Sequence, residues 1–178
     1  MNTNRVTVRY AKALYAFAEE HNKTEVVNND MRLISQLVNI PEFRNMLENP
    51  VIFPSKKIET FNKIVKNKVD DITKTFFKLL AENKREVYLG AAARNYGAIF
   101  RKKNNIKAAE FITAFNPDKN LYEKVSKILE EQYNSKIDLT VKTDKSIIGG
   151  FVLTVDGMQY DASVAEKLKN VKKDMLNA

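Results

Sequence analysis

The spacing of the apolar residues changes near residue 105 of this 178-residue chain. Before that point apolar residues recur every three or four positions, which is the spacing of one face of an α-helix. After it, short runs alternate apolar with polar residues, as half-buried strands do, and helical segments lie between them. This switch predicts a mainly α fold in two domains. We expect an N-terminal six-helix bundle over residues 1–104 and a small α+β domain over residues 105–178.

Six amphipathic segments fill the first half, and each is expected to bury one apolar face. The predicted helices are residues 6–21, 24–38, 41–47, 55–65, 70–82 and 85–103. Residues 49–54 are predicted to be non-helical, because Pro50 and Pro54 each lack an amide donor and restrict the residue before them. The expected core positions include Val6, Tyr10, Ala13, Leu14, Phe17 and Ala18 of the first helix, Ile64 of the fourth and Leu79 of the fifth.

The first helix carries a second, milder apolar stripe formed by Val8, Ala11 and Tyr15. A helix at the edge of a bundle needs only one apolar face. The second stripe is therefore explained either by a groove that receives a helix of a partner protein or by a central position of this helix in the bundle. The sequence leaves these two explanations open.

The second half predicts strands and helices in alternation. Strands are expected at 107–115, 137–141 and 151–155, and a helix is expected to open at Pro117-Asp118. Asp156-Gly157 directly follows the last of these strands and predicts a tight hairpin, because both residues tolerate the positive φ that such a turn requires. Ser163 and Glu166 have the spacing of a capping box. They predict a final helix whose apolar face consists of Val164, Leu168, Val171 and Met175.

The net charge of +8 is carried entirely by the first half. Residues 1–104 hold 19 Lys and Arg against 11 Asp and Glu, whereas residues 105–178 hold 11 of each. A lysine-rich solvated surface explains this asymmetry, and so does an acidic partner. No cysteine is present, which excludes disulfides and thiolate metal sites. We also expect neither a secretory signal at the N-terminus nor a membrane-spanning helix.

Signatures of catalysis or cofactor binding are missing from the sequence. The single histidine, His21, is interpreted as a partner of the dipole at the end of the first helix. None of the five glycines belongs to a phosphate-binding loop motif, and Gly149-Gly150 is interpreted as a close approach of the backbone just before a strand. We therefore expect no catalytic site, no cofactor and no bound metal.

Several segments in order along the chain resemble one known family. They are YAKALY at 10–15, NPVIFPSKK at 49–57, FFKLLAENKR at 76–85, IGGF at 148–151 and YDASV at 160–164, followed by Leu168. These segments are similar to the delta subunit of F-type ATP synthase and its mitochondrial counterpart, the oligomycin-sensitivity-conferring protein. The matches extend over about residues 5–176. Where the family usually has glycine this chain has Ala162, a departure that affects the geometry of one turn.

The resemblance implies a non-catalytic stator subunit. It implies that residues 1–104 bind the alpha, and also the beta, subunits of the catalytic head, and that residues 105–178 bind the b subunits of the peripheral stalk. It further implies one copy per complex, located peripherally on the cytoplasmic face of the bacterial plasma membrane, without membrane insertion or nucleic-acid binding. The candidate partner-binding residues are Val8, Ala11, Tyr15, Phe77, Gly149, Gly150, Asp161 and Ser163.

The main alternative is a basic helical protein that binds RNA. A sequence pI near 9.5 and the basic first half would suit contacts with phosphates. The basic residues are nevertheless spread over several helices, and no RNA-binding motif is recognised. A third class, a hydrolase, has no cluster of residues to support it.

Overall fold

The structure, a computed structural model, describes residues 3–115 and 119–177. Within these residues the chain is mainly helical, with a small mixed sheet in its second half. The chain forms two compact units, Met1–Phe100 and Arg101–Ala178. Each unit has its own buried core.

Six α-helices are described from the start of the chain to residue 103. They are α1 (Thr3–Glu20), α2 (Thr24–Leu37), α3 (Pro41–Glu48), α4 (Pro54–Val65), α5 (Asp71–Glu82) and α6 (Leu89–Lys103), with a 3₁₀ helix at Glu86–Tyr88. Pro41 and Pro54 each occupy the first helical position, where a missing amide donor costs nothing. The predicted helices therefore form at the predicted places, although the sixth begins later than expected because the 3₁₀ helix precedes it.

Aromatic side chains fill the core of the first unit. Phe61 on α4 and Phe77 on α5 are fully buried and stacked, with ring centroids 3.9 Å apart. The ring of Phe43 on α3 lies 6.4 Å from that of Phe61. A buried ion pair between Lys57 and Glu86 adds a polar crosslink, and Lys57 Nζ also donates to the carbonyl of Leu47 at 2.8 Å. These contacts connect α3, α4, α5 and the 3₁₀ helix.

Helix α1 buries a different face from the one that the sequence predicts. Its buried residues are Thr7, Ala11, Leu14, Tyr15 and Ala18. Ala13 is exposed and Phe17 is 46% exposed, so the expected stripe is wrong at both positions. The reason is rotation about the helix axis, because Tyr15 packs against Tyr96 of α6, with ring centroids 5.6 Å apart. Two other expected core residues, Ile64 and Leu79, are also substantially exposed.

The second unit contains a sheet of four described strands in the order β2-β1-β3-β4. The strands are β1 (Ile106–Thr113), β2 (Lys136–Thr143), β3 (Phe151–Val155) and β4 (Met158–Asp161). Strands β1 and β2 are parallel and are joined through α7 (Lys119–Tyr133), whereas β3 pairs antiparallel with both β1 and β4. Pro117 and Asp118, predicted to open α7, lie outside the described residues.

One face of this sheet packs against α7. The buried residues of this core are Ala109, Phe111, Leu129, Leu139 and Val155. Alternate residues of β1, β2 and β3 supply it, as the period-2 pattern predicts, whereas the residues of β4 are exposed. The predicted hairpin is confirmed: Asp156 and Gly157 have φ values of 47° and 87°, and they join β3 directly to β4. The last helix, α8 (Val164–Asn177), follows β4 after a short turn.

Candidate partner-binding surfaces

A groove of about 500 Å³ lies beside α1 in the first unit. It is lined by Val6, Arg9, Tyr10, Ala13 and Arg85. Val6, Tyr10 and Ala13 lie on one side of α1 because they follow the three-and-four spacing of a helix. These three residues were expected in the core of the bundle, and in the structure they instead form the apolar wall of this groove.

Arg85 and Tyr10 are positioned by each other. Arg85 Nη1 donates to the Tyr10 hydroxyl at 3.0 Å, and the guanidinium carbon lies 5.9 Å from the centre of the Tyr10 ring. The same ring meets Phe76 of α5 edge-on, with centroids 6.3 Å apart. An apolar wall beside two arginines suits an amphipathic segment that carries a carboxylate.

The sequence-predicted contacts in the first unit are not in this groove. Ala11 and Phe77 are fully buried and Tyr15 is only 6% exposed, so their side chains contact this chain's own helices. Val8 is half-buried. This burial favours a central α1 over a partner groove on the stripe of Val8, Ala11 and Tyr15. The groove-lining Arg9 and Arg85 were missed, since they lie 76 positions apart and only the packing of α1 against the chain after α5 brings them together.

Gly149 and Gly150 form a close contact with the start of α8. Gly150 has a φ of +76°, and a Cβ atom there would lie 2.3 Å from the carbonyl oxygen of Ala162. The Val164 amide donates to the carbonyl of Gly149 at 2.9 Å. Only glycine fits at position 150, so the predicted close approach of the backbone is confirmed.

Asp161 and Ser163 cap α8. The buried Ser163 accepts a hydrogen bond from the Glu166 amide at 3.1 Å, and Asp161 Oδ1 accepts from the Ser163 amide at 2.9 Å. Hydrogen bonds to the Asp161 carboxylate from the Ser163 hydroxyl and then from the Ser163 amide hold the pKa of Asp161 below its usual value. The predicted cap by Ser163 is confirmed. In a capping box the Glu166 side chain would accept a hydrogen bond from the Ser163 amide, whereas here the Asp161 side chain accepts it.

The predicted apolar face of α8 points to solvent. Leu168 is 56% exposed and Met175 is 76% exposed, while Val164 is partly exposed. The side chain of Val171 lies outside the described part of the structure. In β4, Met158 and Tyr160 are also largely exposed. The second unit therefore presents apolar side chains that nothing in the described chain covers.

His21 has a local role at the end of α1. Its Nδ1 lies 2.8 Å from the Phe17 carbonyl oxygen, and the two rings are 4.4 Å apart. No cluster of three or more His, Cys, Asp or Glu side chains able to hold a metal occurs among the described residues. None of the described helices combines the length and the apolar character that a membrane span requires.

Comparisons with known proteins agree over nearly the full length of the chain. Residues 6–175 match the family described as ATP synthase delta (OSCP) subunit. ATP synthase subunit delta of Flavobacterium psychrophilum is 36% identical over 178 residues, covering 99% of this chain and 100% of that protein. ATP synthase subunit delta of a Clostridium botulinum strain is 36% identical over 169 residues, covering 94% of each.

The fold is also found in a solved structure. A chain of the Toxoplasma gondii mitochondrial ATP synthase hexamer superposes with a TM-score of 0.74 at 24% identity, covering 96% of this chain and 97% of that one. The fold similarity and the full-length sequence matches cover both units. This chain therefore belongs to the ATP synthase delta (OSCP) subunit family.

Proposed function

We propose that this chain links the alpha subunits of the catalytic head to the b subunits of the membrane-anchored stalk, using a different unit at each end. As a delta subunit it is a structural part of the peripheral stalk of F-type ATP synthase and is not catalytic by itself. The observation that carries this function is the family match over residues 6–175, which includes both compact units. Family membership leaves the RNA-binding alternative without support.

In this proposal the six helices of residues 1–104 act as one bundle that binds the head. The groove lined by Val6, Arg9, Tyr10, Ala13 and Arg85 is the site for an amphipathic N-terminal segment of an alpha subunit, and beta subunits lie nearby. Apolar residues of that segment would contact Val6 and Ala13. An acidic residue of the segment would pair with Arg9 or Arg85, because charge-assisted hydrogen bonds to arginine fix orientation.

The second unit is proposed to bind the b subunits. The support for this assignment is the exposed apolar face of α8. Exposure of that face to water costs free energy, and a partner that covers the face removes this cost. In this role the chain couples proton-driven rotation to ATP synthesis by holding the catalytic head still. That requires durable attachment at both ends, because the rotating part of the synthase would otherwise turn the head with it. Each interface is therefore expected to exceed ~1,000 Å² and to have an apolar centre. One copy per complex would lie on the cytoplasmic face, peripheral to the membrane.

The test uses reconstituted membranes that contain the full synthase. A truncated chain of residues 1–104 replaces the full chain. Truncation at residue 104 removes the whole sheet, whereas truncation within the second unit would remove β3 and leave its partner β1 behind. We expect the head to bind this truncated chain and to hydrolyse ATP. Synthesis of ATP driven by a proton gradient should be lost, because the head is no longer attached to the stalk. Undiminished synthesis would contradict the proposal.

The groove has its own test. A double variant, Arg9→Glu with Arg85→Glu, should weaken binding of an alpha-subunit N-terminal peptide, because it replaces two cations that face the groove with anions. Arg94→Glu with Lys102→Glu is the charge-matched control, since both side chains are exposed on α6 and neither lines the groove. Equal affinities for the double variant and the control would exclude this groove as the site.

A further inference from the structure

Ile148 has a backbone conformation that β-branched residues rarely adopt. Its φ and ψ are 67° and −43°, and the Gly149 amide donates to the Ile147 carbonyl oxygen at 2.7 Å. This is a γ-turn with positive φ at its centre, a rare and strained arrangement. The Ile148 side chain is 64% exposed. The chain thus spends folding free energy on the turn and still leaves a large apolar side chain in water.

The surrounding contacts hold this turn in place. The Ile148 amide donates to the Lys145 carbonyl oxygen at 3.1 Å. Asp144 caps the preceding 3₁₀ helix (Lys145–Ile147) by accepting a hydrogen bond from the Ser146 amide at 2.8 Å. On the other side, Gly150 is fixed against the carbonyl of Ala162. The position of Ile148 is therefore determined by the fold on both sides.

Ile148 lies beside the first turn of α8. A Cβ atom on its neighbour Gly149 would lie 3.2 Å from Val164 Cγ2, and the Gly149 carbonyl accepts from the Val164 amide. The 3₁₀ helix also packs against α8. Val164, Leu168 and Met175 follow one another on a single face of α8, at spacings of four and seven residues. We call Ile148 together with this face of α8 the docking surface.

Lysines border the docking surface. At 100° per residue, Lys167 lies on one side of the stripe of Val164, Leu168 and Met175, and Lys172 lies on the other. Both are exposed, and among the described side chains neither takes part in an ion pair. Lys169 differs, because it pairs with Glu166 at 3.2 Å. An apolar stripe between two cations is complementary to an apolar stripe between carboxylates.

We propose that the docking surface binds an amphipathic helix of a b subunit that carries acidic side chains on both sides of its apolar face, with Ile148 as a preorganised anchor. This rests on the stalk assignment made above and adds the chemistry of the partner and the anchor residue. A fixed anchor loses little conformational freedom on binding, which is what the strained turn provides.

The anchor is tested with Ile148→Asn in the full-length chain. Asparagine tolerates positive φ, so the variant should keep or raise the melting temperature while it removes the apolar side chain. The probe is the soluble part of the b subunit of the same synthase, and its Kd is measured by calorimetry. We expect the Kd to rise roughly tenfold to a hundredfold, the range expected for an isoleucine that becomes buried at an interface.

Met158→Asn is the matched control. Met158 has a similar exposed fraction, 66%, but lies on β4 outside the docking surface, so its loss should leave the Kd within about twofold. A second pair tests the charges: Lys167→Glu with Lys172→Glu should weaken binding, while Lys124→Glu with Lys127→Glu on α7 should not. The difference between these pairs should shrink with added salt.

The outcomes separate this inference from the stalk assignment. If the wild-type chain binds the b fragment and Ile148→Asn binds equally well, the anchor is wrong and the stalk assignment stands. If the wild-type chain binds an alpha peptide but not the b fragment, the stalk assignment itself fails. A concentration-dependent dimer that Ile148→Asn abolishes would show that the docking surface binds a second copy, which also overturns the inference.

Discussion

Tyr15 and Phe17 lie two positions apart on α1 and have opposite surroundings. Tyr15 is buried against Tyr96, whereas nearly half of the Phe17 side chain is exposed. We expect Tyr15→Ala to lower the free energy of unfolding by about 3 kcal/mol, since it leaves a cavity among packed rings. Phe17→Ala should cost less than about 1 kcal/mol. Urea unfolding of both variants checks this, and equal losses would contradict the burial of Tyr15.

Alanine substitutions at Gly150 and Gly157 of the second unit are expected to destabilise the chain by different amounts. Gly150→Ala combines an unfavourable φ with a collision against the Ala162 carbonyl, so it should destabilise the chain by more than about 2 kcal/mol. Gly157 has a φ of +87° but open space around its Cβ position. Gly157→Ala should therefore cost about 1 kcal/mol. The two melting temperatures test the order, and a smaller effect at Gly150 would show that Ala162 yields easily.

Among the elements, α5 depends on a charged cap. Asp70 accepts a hydrogen bond from the Ile72 amide at 3.0 Å and pairs with Lys23 at 2.7 Å. The hydrogen bond from Lys23, followed by that from Ile72, lowers the pKa of Asp70 below its ordinary value of 3.8. Its stabilising contribution is therefore fully present above pH 3.8 and is lost as the pH falls through the lower pKa of the folded state.

Asp70→Asn removes that ionisation, because asparagine still caps a helix but cannot ionise, and it also removes the Asp70 charge that helps to raise the pKa of Asp30. The difference in unfolding free energy between wild type and variant should be small, largest above pH 3.8, and should shrink as the pH falls below it. The pKa of Asp30 is shifted in the opposite direction from that of Asp70. Burial raises the pKa of Asp30, although the Thr73 hydroxyl and the Asp70 amide donate hydrogen bonds to its carboxylate. Asp30→Asn is therefore the control. For this variant, the difference in unfolding free energy from wild type should change with pH in the direction opposite to that seen for Asp70→Asn. A difference that does not depend on pH would refute the assignment to Asp70.

At the scale of the whole molecule, the division into two compact units predicts where a protease cuts. Lys102 and Lys103 are exposed in the last turn of α6, just past the boundary at Phe100. Mild trypsin treatment should cut there and leave a folded, strongly helical N-terminal fragment, detected by mass spectrometry and circular dichroism. A protease-resistant fragment that spans residues 95–114 would contradict this expectation.

Much of the secondary structure is determined locally, which is why the sequence predicts it. Proline positions set the break between α3 and α4, because the missing amide acts wherever the residue lies in the fold. Asp156-Gly157 and Ser163 act in the same way on the hairpin and on the start of α8. The family resemblance can also be seen in the sequence, because it rests on short segments that follow one another in the same order along the chain. The family match over residues 6–175 confirms it.

The tertiary structure decided what local patterns leave open. Helix α1 has apolar residues on more than one side, so its spacing alone allows several rotations; contact with Tyr96 selects the one that buries Tyr15 and exposes Ala13 and Phe17. The pairing of Arg85 with Tyr10 joins residues 75 positions apart and follows only from packing. The positive φ of Ile148 likewise runs against the local preference of isoleucine, and the contacts on both sides of its turn hold it. Local propensities therefore set the elements, whereas long-range packing decided which of their faces remain available for partners.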